Sequence, residues 1–127
     1  CSSSVGRVGG SQVVSLGEGC LTKGVVIHEL MHSLGFWHEQ ARPDRDRYIT
    51  IIWENIQMGL SYNFGKYDWD TIQNLSVPYD LGSIMHYGSN AFAKNRTKPT
   101  IISNNGEEIG QRYGLSEDVQ NSCILGV

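Results

Sequence analysis

The stretch His28-Glu29-Leu30-Met31-His32-Ser33-Leu34-Gly35-Phe36-Trp37-His38 places three imidazoles and one carboxylate at spacings that suit metal-assisted hydrolysis. Two histidines four positions apart on a helix project from one face, one turn apart, and can chelate a single ion. Glu29, next to the first of them, reaches the open side of that ion and has the chemistry of a general base. Gly35 breaks the helix, so that the chain can swing His38 back as a third ligand. Three neutral imidazoles with one open position describe a catalytic zinc site rather than a closed structural one.

The plainer reading is a core helix that happens to carry histidines. An isolated H-E-x-x-H arises by chance in a modest fraction of proteins. With the glycine and third histidine added at fixed offsets, chance occurrence in a chain this size drops to on the order of 10⁻⁵. A zinc site is therefore the working expectation, and a packed helix the alternative.

The elements around the motif read as follows. Val5–Arg7 and Gln12–Leu16 have the composition of short strands, separated by the turn signal Gly9-Gly10. Thr22 is a candidate N-cap for a helix from Lys23 to about Leu34. Within it Val26, Ile27, Leu30, Met31 and Leu34 recur with helical spacing and suit burial. Arg42–Arg47 is a charged loop, and Tyr48–Trp53 a β-branched, apolar strand candidate. Residues 54–77 mix aromatic and polar residues without a period and predict short helices and irregular loops. Thr100–Ile102 reads as a brief strand, Asn104-Asn105-Gly106 as a turn, and Leu115–Asn121 as the start of a terminal helix.

Composition bounds the rest. A chain of 127 residues with 18% charged residues supplies one ordinary core, and residues 1–127 read as a single domain. The net charge of -3 argues against a nucleic-acid footprint or a basic membrane-binding face. No apolar run approaches the roughly 20 residues that span a bilayer. Three cysteines are present, Cys1, Cys20 and Cys123. Cys1 and Cys20 flank a stretch able to fold back on itself and are the natural pair, worth about 3 kcal/mol in the chain-entropy model. The alternative is three free buried thiols in a reducing compartment. Asn74-Leu75-Ser76 and Asn95-Arg96-Thr97 are N-glycosylation acceptors and lean towards secretion.

The fourth histidine lies in Ser83-Ile84-Met85-His86-Tyr87-Gly88. Downstream of an elongated zinc motif, this segment resembles the Met-turn of the metzincin clan. The third ligand is followed by Glu39, giving H-E-x-x-H-x-x-G-x-x-H-E, the turn reads S-I-M-H-Y, and Arg42-Pro43-Asp44-Arg45-Asp46 comes soon after. Together these features resemble the astacin family of zinc metalloendopeptidases, over nearly the whole chain as far as Gly110-Gln111-Arg112.

The resemblance implies an α/β (α+β) zincin-like domain. Edge strands and the active-site helix would occupy about 1–38, and the irregular lower half with the Met-turn about 39–127. It also implies a twisted mixed sheet, and an N-terminal part of the domain that lies outside this sequence. A prodomain and accessory domains would flank the piece rather than fall within it. By the same resemblance, one Zn2+ is held by His28, His32 and His38. Glu29 is the catalytic base, and Tyr87 is an additional ligand that moves aside to stabilise the transition state. Met85 forms the floor of the site, and Glu39 meets the buried mature N-terminus. Cys1–Cys20 matches one family disulfide, and Cys123 is half of another.

The implied activity is secreted endopeptidase cleavage of extracellular proteins or peptides, bound extended along an edge at Ser2–Val8. The alternatives are an inactive zinc-binding fragment or pseudoprotease module, and an interaction protein whose histidine helix is core. Tyr87 as a packed aromatic is the plain counterpart to its catalytic reading. Arg42, Arg45 and Asp46 read as a salt-bridged loop, and Arg96 with Lys98 as a solvated one.

Overall fold

In the computed structural model, residues 1–72 and 76–118 are described. The order of elements is β1 (Ser2–Ser3), β2 (Val14–Ser15), α1 (Lys23–Ser33), β3 (Ile49–Ile51) and β4 (Ile101–Ser103), with short 3-10 turns between α1 and β4. The strands form two separate antiparallel ladders. β1 pairs with β2 in the register Ser2↔Ser15 and Ser3↔Val14. β3 pairs with β4 in the register Ile49↔Ser103, Thr50↔Ile102 and Ile51↔Ile101.

The first expected strand is displaced. Val5–Arg7 is not extended into a ladder, because Gly6 takes a positive φ of 72° and gives its N–H to the carbonyl of His32 at 2.8 Å. That amide closes the end of α1 instead of a sheet. The second and third expectations, Gln12–Leu16 and Tyr48–Trp53, each contain an observed strand. The fourth moves by one residue, to Ile101–Ser103, with the Thr100 carbonyl accepting from Ile52 just past β3 and its N–H turned to Ser89 O. The expected turn at Asn104-Asn105-Gly106 forms, with Gly106 at φ 81°. Residues 54–77 hold short 3-10 turns, at Trp53–Asn55 and Ser61–Phe64. The terminal helix expected over Leu115–Asn121 extends outside the described residues, as do Asn74 and Cys123.

Helix α1 starts where the composition points. Thr22 is extended and its carbonyl accepts the first helical N–H, from Val26 at 3.0 Å, although its side chain makes no cap bond. The other end is a Schellman closure: Gly35 N–H bonds His32 O at 2.9 Å, and Phe36 N–H bonds Met31 O at 3.0 Å. Gly35 needs φ 106° for this, a region that side chains resist.

The buried face of α1 differs from the apolar one. Gly24, His28, Glu29, Met31 and His32 are buried, whereas Leu30 is 47% and Leu34 70% exposed. The helix packs its ligand-bearing face inward, because that face meets the 83–88 turn and the 110–112 segment.

Among the described residues, two apolar clusters hold this arrangement. The larger joins Ile49, Ile51, Ile56, Phe64, Tyr79, Leu81, Ile101 and Ile109, with Tyr87 and Phe92 against it. The smaller joins Met31, Ile84 and Met85, with Ile27, Phe36 and Leu115 at its rim. It fastens α1 to the 83–88 turn. A disulfide joins Cys1 to Cys20, tying the start of β1 to the residues just before α1.

Candidate metal centre

The helix presents His28 and His32 one turn apart, and the closure at Gly35 brings His38 across to meet them. His32 Nε2 lies 3.1 Å from His38 Nε2, which lies 3.3 Å from His28 Nε2. The Nδ1 atoms of the two helical rings face carbonyl oxygens: His28 meets Ile84 O, and His32 meets Phe36 O, both at 2.8 Å. A carbonyl only accepts, so each Nδ1 carries the proton and each Nε2 presents a lone pair.

Converging lone pairs repel unless a cation lies among them. Nitrogen ligands about 2.0 Å from a tetrahedral zinc stand roughly 3.3 Å apart, close to the 3.1 and 3.3 Å separations found here. His28, His32 and His38 form the metal-capable cluster among the described residues. They fit one catalytic zinc ion. Burial favours the neutral, ligating form, lowering the pKa of His28 to about 4 and of His38 to about 3.

Around the triad, the 83–88 turn supplies both packing and orientation. Ile84 gives the carbonyl that orients His28, and Met85, 2% exposed, packs with Met31. The Tyr87 ring lies 4.7 Å from the His38 ring, half-buried, and burial raises the pKa of its phenol. Glu29 is 6% exposed and sits on α1 beside His28. Arg112 is half-buried, donates to His86 O at 3.2 Å, and lies within electrostatic range of Glu29, His28, His38 and Tyr87.

A scan against family models matches residues 1–122 to the Astacin peptidase family. The chain belongs to the astacin family. Among the astacin relatives, zinc metalloproteinase nas-15 of Caenorhabditis elegans is 55% identical over 117 residues, covering 92% of this chain and 20% of that protein. Blastula protease 10 of Paracentrotus lividus is 46% identical over 120 residues, 91% of this chain and 20% of that protein. Among solved structures, high choriolytic enzyme 1, a hatching enzyme zinc-protease from Oryzias latipes, superposes with a TM-score of 0.89 at 46% identity. The match covers 98% of this chain and 63% of that one. The chain thus spans 20% of the length of each of these two proteinases and 63% of that solved chain, and its α/β class agrees with the solved structure.

The remaining residues of interest sit as follows. Glu39 lies behind His38, where its Oε1 accepts from Arg42 at 3.0 Å and from the Asp80 N–H at 3.0 Å. Burial raises its pKa, against those bonds. Glu39 also lines a cavity of about 430 Å³ with Trp37, Trp69, Val77 and Met85. The charged loop is ion-paired, Arg42 with Glu39 and Asp44, and Arg45 and Lys66 with Asp46. Arg96 and Lys98 are exposed.

Three residues were not singled out from sequence: Gln40, Tyr79 and Arg112. Tyr79 bonds His86 Nε2 at 2.8 Å, and His86 Nδ1 bonds Tyr87 O at 2.7 Å. Gln40 follows the histidine motif closely and Tyr79 precedes the 83–88 turn, whereas no sequence signal marked Arg112.

Proposed function

We propose that this chain is the zinc-bearing part of a secreted endopeptidase that hydrolyses internal peptide bonds of extracellular proteins. The observation that carries the reading is the convergence of three imidazole Nε2 atoms, the first of them next in sequence to the buried Glu29. The chemistry a bound zinc ion would supply is Lewis acidity, polarising a carbonyl and letting water ionise near pH 7. Glu29 is the general base: it takes the proton of the attacking water and returns it to the leaving amine. Its place on α1 next to His28 and its burial limit the positions open to the carboxylate. Tyr87 donates a hydrogen bond to the oxygen on which charge develops, and burial keeps its phenol protonated for that purpose.

Met85 and Glu39 support the site from behind, Met85 by packing and Glu39 by receiving the mature N-terminus at the cavity it lines. Substrate lies extended beside the short β1 edge, Ser2–Ser3, because Gly6 turns the rest of Ser2–Val8 out of the extended form. That edge is anchored to α1 by the Gly6 N–H bond to His32 O, 2.8 Å long. Secretion is supported by the Cys1–Cys20 disulfide, which persists in oxidising compartments. It fits with the exposed Asn95-Arg96-Thr97 acceptor, and no helix among the described residues is long and apolar enough to cross a membrane.

The test is cleavage of a denatured protein by the full-length enzyme, with and without chelator, beside Glu29→Gln. Loss of cleavage in both, with zinc still bound by the variant, supports the reading. Equal cleavage by Glu29→Gln removes its general base. A wild-type protein that holds zinc but cleaves nothing is instead an inactive zinc-binding module.

A further inference from the structure

We infer that Gln40 is a positioning residue for Tyr87: its side-chain carbonyl holds the Tyr87 backbone, and with it the phenol, against the third histidine. The inference rests on the role proposed above for Tyr87. Gln40 lies in the 3-10 turn Glu39–Ala41, two residues after His38, and is 1% exposed. Its Oε1 accepts the Tyr87 N–H at 3.0 Å. Chemistry settles which way the amide faces, because an N–H can only donate and only the oxygen can receive it.

The neighbouring rung is a backbone one, from Glu39 N–H to Met85 O at 3.1 Å. The segment carrying His38 and the 83–88 turn are therefore joined on both sides of His86, once by a peptide group and once by Gln40. Gln40 is itself held. Its backbone carbonyl accepts from Arg45 Nη1 at 3.0 Å, and the same nitrogen reaches Phe64 O. Phe64 in turn stands edge-on to Tyr87, at 5.9 Å between ring centroids.

The other end of the amide strengthens the case. Gln40 Nε2 is buried and has no hydrogen-bond partner among the described residues. A buried amide with idle donors is unfavourable where Leu or Met would fill the same space. The gain from this residue lies in its oxygen, and that oxygen serves Tyr87. Because the Tyr87 and His38 rings lie 4.7 Å apart, a small displacement of the Tyr87 backbone moves the phenol relative to the reacting carbonyl. Stabilisation of developing charge falls steeply with such misplacement.

The experiment compares four variants of the full-length enzyme: Gln40→Met, Gln40→Glu, Tyr87→Phe and the Gln40→Met/Tyr87→Phe double. Zinc content and circular dichroism are recorded for each. Tyr87→Phe lowers kcat by about 10- to 100-fold, the range of a lost oxyanion donor or somewhat less. Gln40→Met, similar in volume but without an acceptor, lowers kcat about tenfold with KM within about twofold, since the lost interaction acts in the transition state. The double variant is no slower than Tyr87→Phe alone, as residues acting through one another are non-additive. Gln40→Glu keeps an acceptor oxygen and recovers most of the loss.

A Gln40→Met effect that multiplies in full onto Tyr87→Phe, or an unchanged kcat, overturns the inference. So does a Gln40→Glu protein that folds and holds zinc yet loses about tenfold or more in kcat against wild type, a comparison that holds even if the Met variant does not fold. Wild-type cleavage by Tyr87→Phe is a different result, and counts against the role of Tyr87 itself.

Discussion

Gly24 sits in the first turn of α1, where alanine is ordinarily the better residue by about 1 kcal/mol. Gly24→Ala is nonetheless expected to destabilise this protein. A Cβ on Gly24 lies 1.7 Å from the Arg112 carbonyl oxygen, 2.3 Å from its carbon and 2.7 Å from its Cα. Carbon and carbonyl oxygen in contact stand about 3.3 Å apart, so the two backbones must separate by about 1.6 Å. The 110–112 segment cannot give way freely. The N–H of Gly110 bonds Leu81 O at 3.1 Å, and Arg112 reaches His86 O.

Forcing one carbon into a packed site costs about 1–3 kcal/mol, and a backbone obstacle places this case at the upper end. Against the propensity gain, the net loss is about 2 kcal/mol. Urea unfolding measures it as a lower midpoint at unchanged slope. Activity falls as well, because Arg112 lies within electrostatic range of Glu29 and Tyr87. An alanine variant with a midpoint equal to or above wild type refutes the close packing of α1 on the 110–112 segment.

Other consequences are equally open to measurement. Replacing Cys1 and Cys20 together by serine removes a bridge across 19 positions and costs about 3 kcal/mol, read as a lower urea midpoint under oxidising conditions. Stability of the metal-free protein falls with acid. His86 is fully buried, and burial lowers its pKa from 6.5 to about 4. Between those values the unfolded chain binds the extra proton and the folded one does not. The stabilisation is therefore complete above pH 6.5 and is lost progressively towards pH 4, about 3 kcal/mol in all. His28 and His38 act in the same sense, and a flat profile across that window contradicts the burial of these rings. Glu29→Gln lowers kcat by about a thousandfold while zinc content stays at one per chain, since the general base is lost and the ligands are not.

The sequence was most informative where structure is local. Helical periodicity alone brings His28 and His32 to one face, and Gly35 alone permits the reversal that returns His38. The ligand triad was legible because its geometry is settled within a few turns of backbone. The strand register was not. Val5–Arg7 looks like a strand, but the Gly6 amide is drawn to His32 O, a demand that arises only once α1 exists. The apolar spacing of Leu30 and Leu34 suggested a buried face that the packed helix turns outward, because the Met31, Ile84 and Met85 cluster claims the other side.

Contacts between distant positions escaped the sequence altogether. Gly24 against Arg112, and Gln40 against Tyr87, join residues whose separation along the chain carries no periodic signal. The spacing of histidines and glycine determined that this chain can present three ligands to one ion. Tertiary packing decided how firmly those ligands are held and which neighbours aim the phenol at them, because hydrogen bonds between remote segments depend on where the folded core places each backbone.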